Sequence, residues 1–179
     1  QQGVKSHYLK KEKHNGMLVK KVEIIPFEVV VRNILAGSTA KKLGIEEGVA
    51  LSEPLVEFYF KKDELNDPFV SEEQMRIIYK ISQKDILSLR ELALNINQGL
   101  KELFQQIDIQ LIDFKVEFGK DLQGQILLAD EITPDCCRLW DVKTKEKLDK
   151  DRFRRDLGQV KESYEQVLGR LQKLNIRKG

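Results

Sequence analysis

Ile109-Gln110-Leu111-Ile112-Asp113-Phe114-Lys115-Val116-Glu117-Phe118 is the stretch on which the fold turns. From Asp113 onward apolar and charged residues alternate singly, the period of a half-buried β-strand rather than of a helix. Phe114, Val116 and Phe118 are expected to face a core. Asp113, Lys115 and Glu117 are expected on the opposite, exposed face, about 7 Å from one to the next. Gly119–Gly124 reads as a turn and Gln125–Glu131 as the returning strand, so the two strands make a hairpin. Just upstream, Ile86, Leu89, Leu92, Ala93, Ile96, Leu100, Leu103, Phe104 and Ile107 recur at three and four, an amphipathic helix.

Further out, residues 17–31 are rich in Val and Ile and read as strand, with Pro26 marking an edge, a bulge or a break between two strands. Gly37, Gly44, Gly48 and Pro54 punctuate residues 33–54, which read as loop with short helical turns. Leu55–Phe60 is a strand candidate and Lys61–Pro68 a loop. Ser71-x-x-Gln74 fits a capping box, and Ser82-x-x-Asp85 a second helix start. Residues 1–16 are polar, with a turn signal at Asn15-Gly16. From near Asp149, Phe153, Leu157, Val160, Tyr164, Val167, Leu171 and Leu174 predict a closing helix. Strands, helix, hairpin and helix in that order give the α+β class.

The 179 residues suffice to bury a core without disulfide or metal support. Lys and Arg number 31 against 29 Asp and Glu, a balance that gives no reason to expect a nucleic-acid surface. The uncharged stretches are too short for a membrane-spanning helix, and nothing resembles a signal peptide. Cys136 and Cys137 are adjacent, which suits neither a disulfide framework nor zinc; they read as ordinary thiols in a reducing cytoplasm. His7 and His14 leave no His-rich metal site.

Two carboxylates flanking the Lys115 ammonium could hold a divalent metal and an anionic substrate together. The same alternation also fits a solvated polar stripe with weak ion pairs. Across the hairpin, Asp130, Glu131 and Asp135 add carboxylates; Asp130 can lie beside Glu117 or Lys115, while Glu131 or Asp135 can be a turn residue near Pro134. Arg32, entering Gly37-Ser38, reads equally as a phosphate clamp or as an ion-pair partner of Glu28. Neither a Walker motif nor GxGxxG is present. Arg138 is a second candidate anion ligand, and Trp140 a packing residue. The run 149–156 reads as a solvated charged face at a helix start.

Taken in order, Pro26-Phe27-Glu28…Arg32-Asn33…Ala36-Gly37-Ser38, Leu111–Gly119, Leu128–Asp135, Arg138–Asp141 and Asp149–Arg154 resemble the SAICAR synthetase (phosphoribosylaminoimidazole-succinocarboxamide synthase) family over about residues 17–172. The resemblance implies an α+β fold of antiparallel sheets with flanking helices, two-lobed with an ATP cleft between the lobes. Residues 1–25 would be a remnant of the N-terminal ATP-binding lobe, and 26–179 the larger substrate- and ATP-binding domain. It implies an ATP-dependent, cytoplasmic ligase of purine biosynthesis. That ligase joins carboxyaminoimidazole ribonucleotide (CAIR) to L-aspartate through an acyl phosphate, with Mg²⁺. By the family's pattern Lys115 and Asp113 are catalytic. Arg32, Ser38, Arg138 and Asp67 would bind substrate; Ile24, Lys61, Glu117 and Asp130 would bind ATP. Glu28, Asp113, Glu117 and Asp130 would serve the metal. Partners would be these small molecules and a second copy of the chain, with neither nucleic acid nor membrane. The family's glycine-rich, lysine-bearing segment over the ATP phosphates is not in this sequence, so this stretch is expected to be inactive alone. The alternative from another class is a truncated, non-catalytic ribonucleotide-binding module.

Overall fold

A computed structural model describes residues 4–13 and 16–176. The backbone gathers into two compact units, each assembled from three stretches of chain: residues 1–30, 56–96 and 115–131 in the first, and 31–55, 97–114 and 132–179 in the second. Among the described residues no helix is long and apolar enough to cross a membrane.

In the first unit, β1 (Tyr8–Lys11) and β2 (Met17–Val19) form an antiparallel hairpin. Part of the turn expected at Asn15-Gly16, and His14, lie outside the described residues. Strand β3 runs unbroken over Glu23–Ile34, entering the second unit at Val31. Pro26 therefore neither ends nor splits it. The ring removes a donor, but the Pro26 carbonyl still accepts from the Lys61 N–H at 3.0 Å, so pairing continues past it. Strand β4 (Ala50–Phe60) starts before the expected Leu55 and contains Pro54. Its end pairs with β5 (Phe69–Val70), Phe58 opposite Val70.

The capping box at Ser71 forms in full: its Oγ accepts from the Gln74 N–H, and the Gln74 side chain accepts from the Ser71 N–H, starting α2 (Glu72–Ile77). Helix α3 (Gln83–Gln105) follows, burying Ile86, Leu89 and Ala93 completely. Strand β6 (Ile109–Lys120) returns as β7 (Ile126–Leu128), shorter than the expected Gln125–Glu131. Gly119 belongs to β6 rather than to the turn. A Cβ there would sit 2.5 Å from Val22 Cγ2 and 3.1 Å from the Glu23 carbonyl, so only glycine permits that approach. The turn itself is closed by Asp121, whose Oδ1 accepts from the Gln123 and Gln125 N–H groups.

In the second unit, α1 (Gly37–Leu43) ends on a left-handed Gly44, giving the segment read as loop one regular helix. Strand β8 (Cys137–Asp141) pairs antiparallel with the first half of β6, Leu111 opposite Leu139. The strand order is β5-β4-β3-β6-β7, with β8 on β6. Ile34, Ala36 and Ile112 pack together with Trp140 against them, the packing role expected of that indole. The closing helix is broken in two, α4 (Asp151–Arg154) and α5 (Val160–Ile176). Asp156, Gly158 and Gln159 take left-handed φ between them, and the Arg152 Nε binds the Gly158 carbonyl at 2.8 Å. Phe153 and Leu157, counted into the helical period, are exposed, whereas Val167 is buried.

Candidate active site

The first unit presents carboxylates met by ammonium groups. Phe114, Val116 and Phe118 are buried on β6, and Lys115 and Glu117 between them stay partly exposed. The Lys115 Nζ pairs with Glu28 of β3. Arg32, read from sequence as a phosphate clamp or a partner of Glu28, is held by Asp113. Burial works to lower the Lys115 pKa. The hydrogen bond to Glu28 and the charges of Glu28, Glu117 and Asp130 outweigh it, so the ammonium titrates above its ordinary value. The Lys61 Nζ reaches both oxygens of Glu117, at 2.6 and 2.7 Å.

The Ala129 N–H binds the Glu117 carbonyl at 2.9 Å, which carries Asp130 to the Glu117 side of the hairpin. Burial, then the hydrogen bond and charge of Glu131, with Glu117 adding repulsion, push Asp130 up to about 7. A carboxylate crowded by carboxylates is a place where a cation is welcome. Among the described residues no group of three or more His, Cys, Asp or Glu is placed to hold a metal unaided. Mg²⁺, however, takes only one or two protein carboxylates when phosphates complete its shell, so Glu117 and Asp130 fit that demand. Asp67 turns inward on its own loop: its Oδ1 accepts the Lys62 N–H at 2.8 Å. Ile24 is exposed on β3.

The second unit presents guanidinium groups. Arg32 Nη1 lies 2.6 Å from Asp113 Oδ2, and Arg138 Nη1 lies 2.8 and 3.1 Å from the two Asp113 oxygens. Asp113 is thus buried, contrary to the exposed face expected for it, because two arginines converge on it. Alternation along a strand assigns a side; it does not say what covers that side. Arg138 Nε binds Asp151 at 2.9 Å, and its guanidinium lies over Gly37, where a Cβ would come within 2.4 Å of Nη2. Gly37 also has a φ of +62°, a backbone conformation that favours glycine. Ser38 is exposed and lines a cavity of about 400 Å³ with Lys41, Glu47 and Arg155.

Residues 149–156 are not a solvated face throughout: Asp149, Asp151 and Arg152 are buried. Asp149 accepts the N–H groups of Leu139 (2.7 Å) and Asp151 (2.8 Å), and burial pushes its pKa up to about 6 against those bonds. Asp151, which holds Arg138 Nε at 2.9 Å, is not singled out by the sequence reading. Its signal was present in the acid–base alternation, which a solvated helix start shows equally. Cys136 and Cys137 are buried free thiols; the hydrogen bond between them and burial raise the Cys137 pKa, so Cys137 is no activated nucleophile.

A family model described as SAICAR synthetase matches residues 1–171. The chain is 52% identical over 176 residues to the phosphoribosylaminoimidazole-succinocarboxamide synthase of Anoxybacillus flavithermus, covering 98% of this chain and 73% of that protein. A solved SAICAR synthetase in complex with ADP is 46% identical and superposes with a TM-score of 0.92, covering 94% of this chain and 72% of the other. The crystal structure of phosphoribosylaminoimidazole-succinocarboxamide synthase from Ehrlichia chaffeensis is 45% identical with a TM-score of 0.92, covering 95% and 73%. A match over nearly the whole chain, and identities near one half, establish that the chain belongs to the SAICAR synthetase family.

Proposed function

We propose that this purine-biosynthesis ligase joins the carboxylate of CAIR to the amine of L-aspartate at the expense of ATP. The γ-phosphoryl group passes to a carboxylate oxygen of CAIR, leaving ADP. The aspartate amine then attacks the acyl carbon, a C–N bond forms, the C–O bond breaks, and phosphate departs with that electron pair while the amine sheds its proton. ADP in the relative at 46% identity supports the nucleotide half of this reading.

The observation that carries the substrate half is the pair of guanidiniums on Asp113. Arg32 and Arg138 are pre-aimed by one buried carboxylate, beside a glycine turn that ends in an exposed Ser38. A fork held that rigidly suits the bidentate geometry of a phosphate. In this reading Arg32, Ser38 and Arg138 hold the ribonucleotide's phosphate and Asp113 holds the two arginines. Lys115 neutralises the reacting carboxylate and Lys61 the ATP phosphates. The backbone near Ile24 receives the adenine, and Asp67 keeps the Lys61 loop in shape. Glu117 and Asp130 would hold Mg²⁺, with Glu28 joining when Lys115 turns to substrate; the ion would neutralise phosphate charge. Cytoplasmic location and a homodimer complete the reading.

The test is calorimetry with CAIR and with ADP on Arg32→Ala and Arg138→Ala. Loss of a charge-assisted phosphate contact is worth about 1.5–3 kcal/mol, roughly 10- to 100-fold in affinity for CAIR, with ADP binding unchanged. Equal losses for both ligands, or none, would remove these arginines from the phosphate site.

A further inference from the structure

The loop after α1, which sequence punctuation marks only as Gly44 and Gly48, carries one carboxylate on which donors converge. Glu47 Oε1 accepts from the Gly37 N–H (3.3 Å) and from Arg155 Nη2 (2.5 Å). Its Oε2 accepts from Arg155 Nη1 (2.9 Å) and Lys147 Nζ (3.1 Å). Arg155 in turn lies 3.5 Å from Asp151, the carboxylate that holds Arg138 Nε at 2.9 Å. Signs therefore alternate without a gap along Lys147, Glu47, Arg155, Asp151, Arg138, Asp113 and Arg32.

We propose that Glu47 is a positioning residue for the phosphate site: it fixes the Gly37-Ser38 turn directly, and Arg138 through Arg155 and Asp151. The proposal rests on the reading that Ser38 and Arg138 hold the ribonucleotide's phosphate. Glu47 occupies both nitrogens of the Arg155 fork. Without that carboxylate, Asp151 is the ion-pair partner left to Arg155, which then competes with Arg138 for it. The Gly37 N–H loses its acceptor at the same time, in the turn against which the Arg138 guanidinium lies. An ion pair as exposed as Glu47–Arg155 adds little to stability by itself. Its removal should therefore show in ligand affinity before it shows in folding, the reverse of a merely structural contact.

The experiment is calorimetry with CAIR, ADP as control ligand, and thermal denaturation, on the full chain carrying Glu47→Gln, Arg155→Gln, both, or Arg138→Ala. Coupled residues in one network interact strongly enough to expect about tenfold weaker CAIR binding for either single variant, with little further loss in the double. ADP affinity should stay at the wild-type value, and the melting temperature should move by no more than a few degrees. Should Glu47→Gln not fold, the exposed Arg155→Gln carries the same test. Wild-type CAIR affinity in these variants, while Arg138→Ala loses it, overturns the proposal and leaves the phosphate site standing; so does a lowered melting temperature with CAIR affinity intact. If Arg138→Ala also binds CAIR normally, the phosphate reading falls and the proposal with it.

Discussion

The candidate site residues of the two units neutralise their carboxylates with different chemistry. In the first, Glu28 and Glu117 meet Lys115 and Lys61, whose side chains remain 34% and 44% exposed. In the second, Asp113 meets Arg32 and Arg138, whose side chains are 6% and 12% exposed. An ammonium on a flexible stem is a point charge that can leave one carboxylate for another anion at small cost. A guanidinium held by a buried carboxylate keeps its orientation whether or not a ligand is present. In the proposed reaction, the first arrangement suits groups that must follow charge as it moves from ATP to carboxylate. The second suits a handle gripped at a fixed place. On that proposal, the difference between lysine and arginine here is a difference between transfer and anchorage.

The sharpest way to break that comparison is to remove one carboxylate from each side. Asp113→Ala leaves two buried guanidiniums without their common partner and should destabilise the fold by about 3–5 kcal/mol. Glu28→Ala frees only a half-exposed ammonium that can turn to water or to Glu117, and should cost about 1 kcal/mol or less. Urea denaturation of both variants decides. Equal losses would mean that the second unit's ion pairs are no more structural than the first's.

Much of this contrast was legible as residue types and little of it as partners. The alternation from Phe114 to Phe118 placed β6, the Ser71 capping box placed α2, and the three-four spacing from Ile86 placed α3, since each is a local pattern that the local backbone obeys. The partners of Asp113 were not local. Arg32 stands 81 residues away and Arg138 stands 25, and no strand period reveals which side chains close over a carboxylate. Asp149 and Asp151 show the converse. Their run has the composition of a solvated helix start, but N–H groups of Leu139 and Asp151 draw Asp149 inward. Strand β8, the source of one of them, is short and contains Arg138, so its own sequence barely announces a strand. Gly119 looked like the start of a turn because glycine punctuates turns; the close approach of Val22 is what requires it.

A smaller effect on folding, but a large one on chemistry, is expected at Lys115. Lys115→Met keeps the bulk of the stem and removes the charge, so the melting temperature should hardly move. Loss of one preorganised cation at developing charge typically costs about 10²–10³ in turnover, read as aspartate-dependent ADP release by the full-length enzyme. Lys115→Arg should not restore the rate, because a planar fork does not replace a mobile point charge. Turnover within a few fold of wild type would make Lys115 an ordinary partner of Glu28 and erase the distinction between transfer and anchorage.

The smallest effect probes the outer end of the arginine network. Burial works to raise the pKa of Glu47, but the hydrogen bonds from Arg155, Lys147 and the Gly37 N–H outweigh it and hold the group at about 2. An unfolded glutamate titrates near ~4.3. The folded value is the lower one, so the unfolded chain binds the proton more readily. The stabilisation from Glu47 is then complete above about pH 5 and is lost as the pH falls from there toward 2. Melting temperatures of wild type and Glu47→Gln should therefore lie furthest apart near neutrality and converge through that acid window. Because Glu47 and Arg155 are partly exposed, the gap should be modest and should shrink further in ~1 M salt, where the screening length falls to about 3 Å. Asp113, sealed between its arginines, should show no such sensitivity to salt. If the two melting curves run parallel through the acid range, the carboxylate of Glu47 is not held by Arg155 in solution, and the anchored network ends at Asp151.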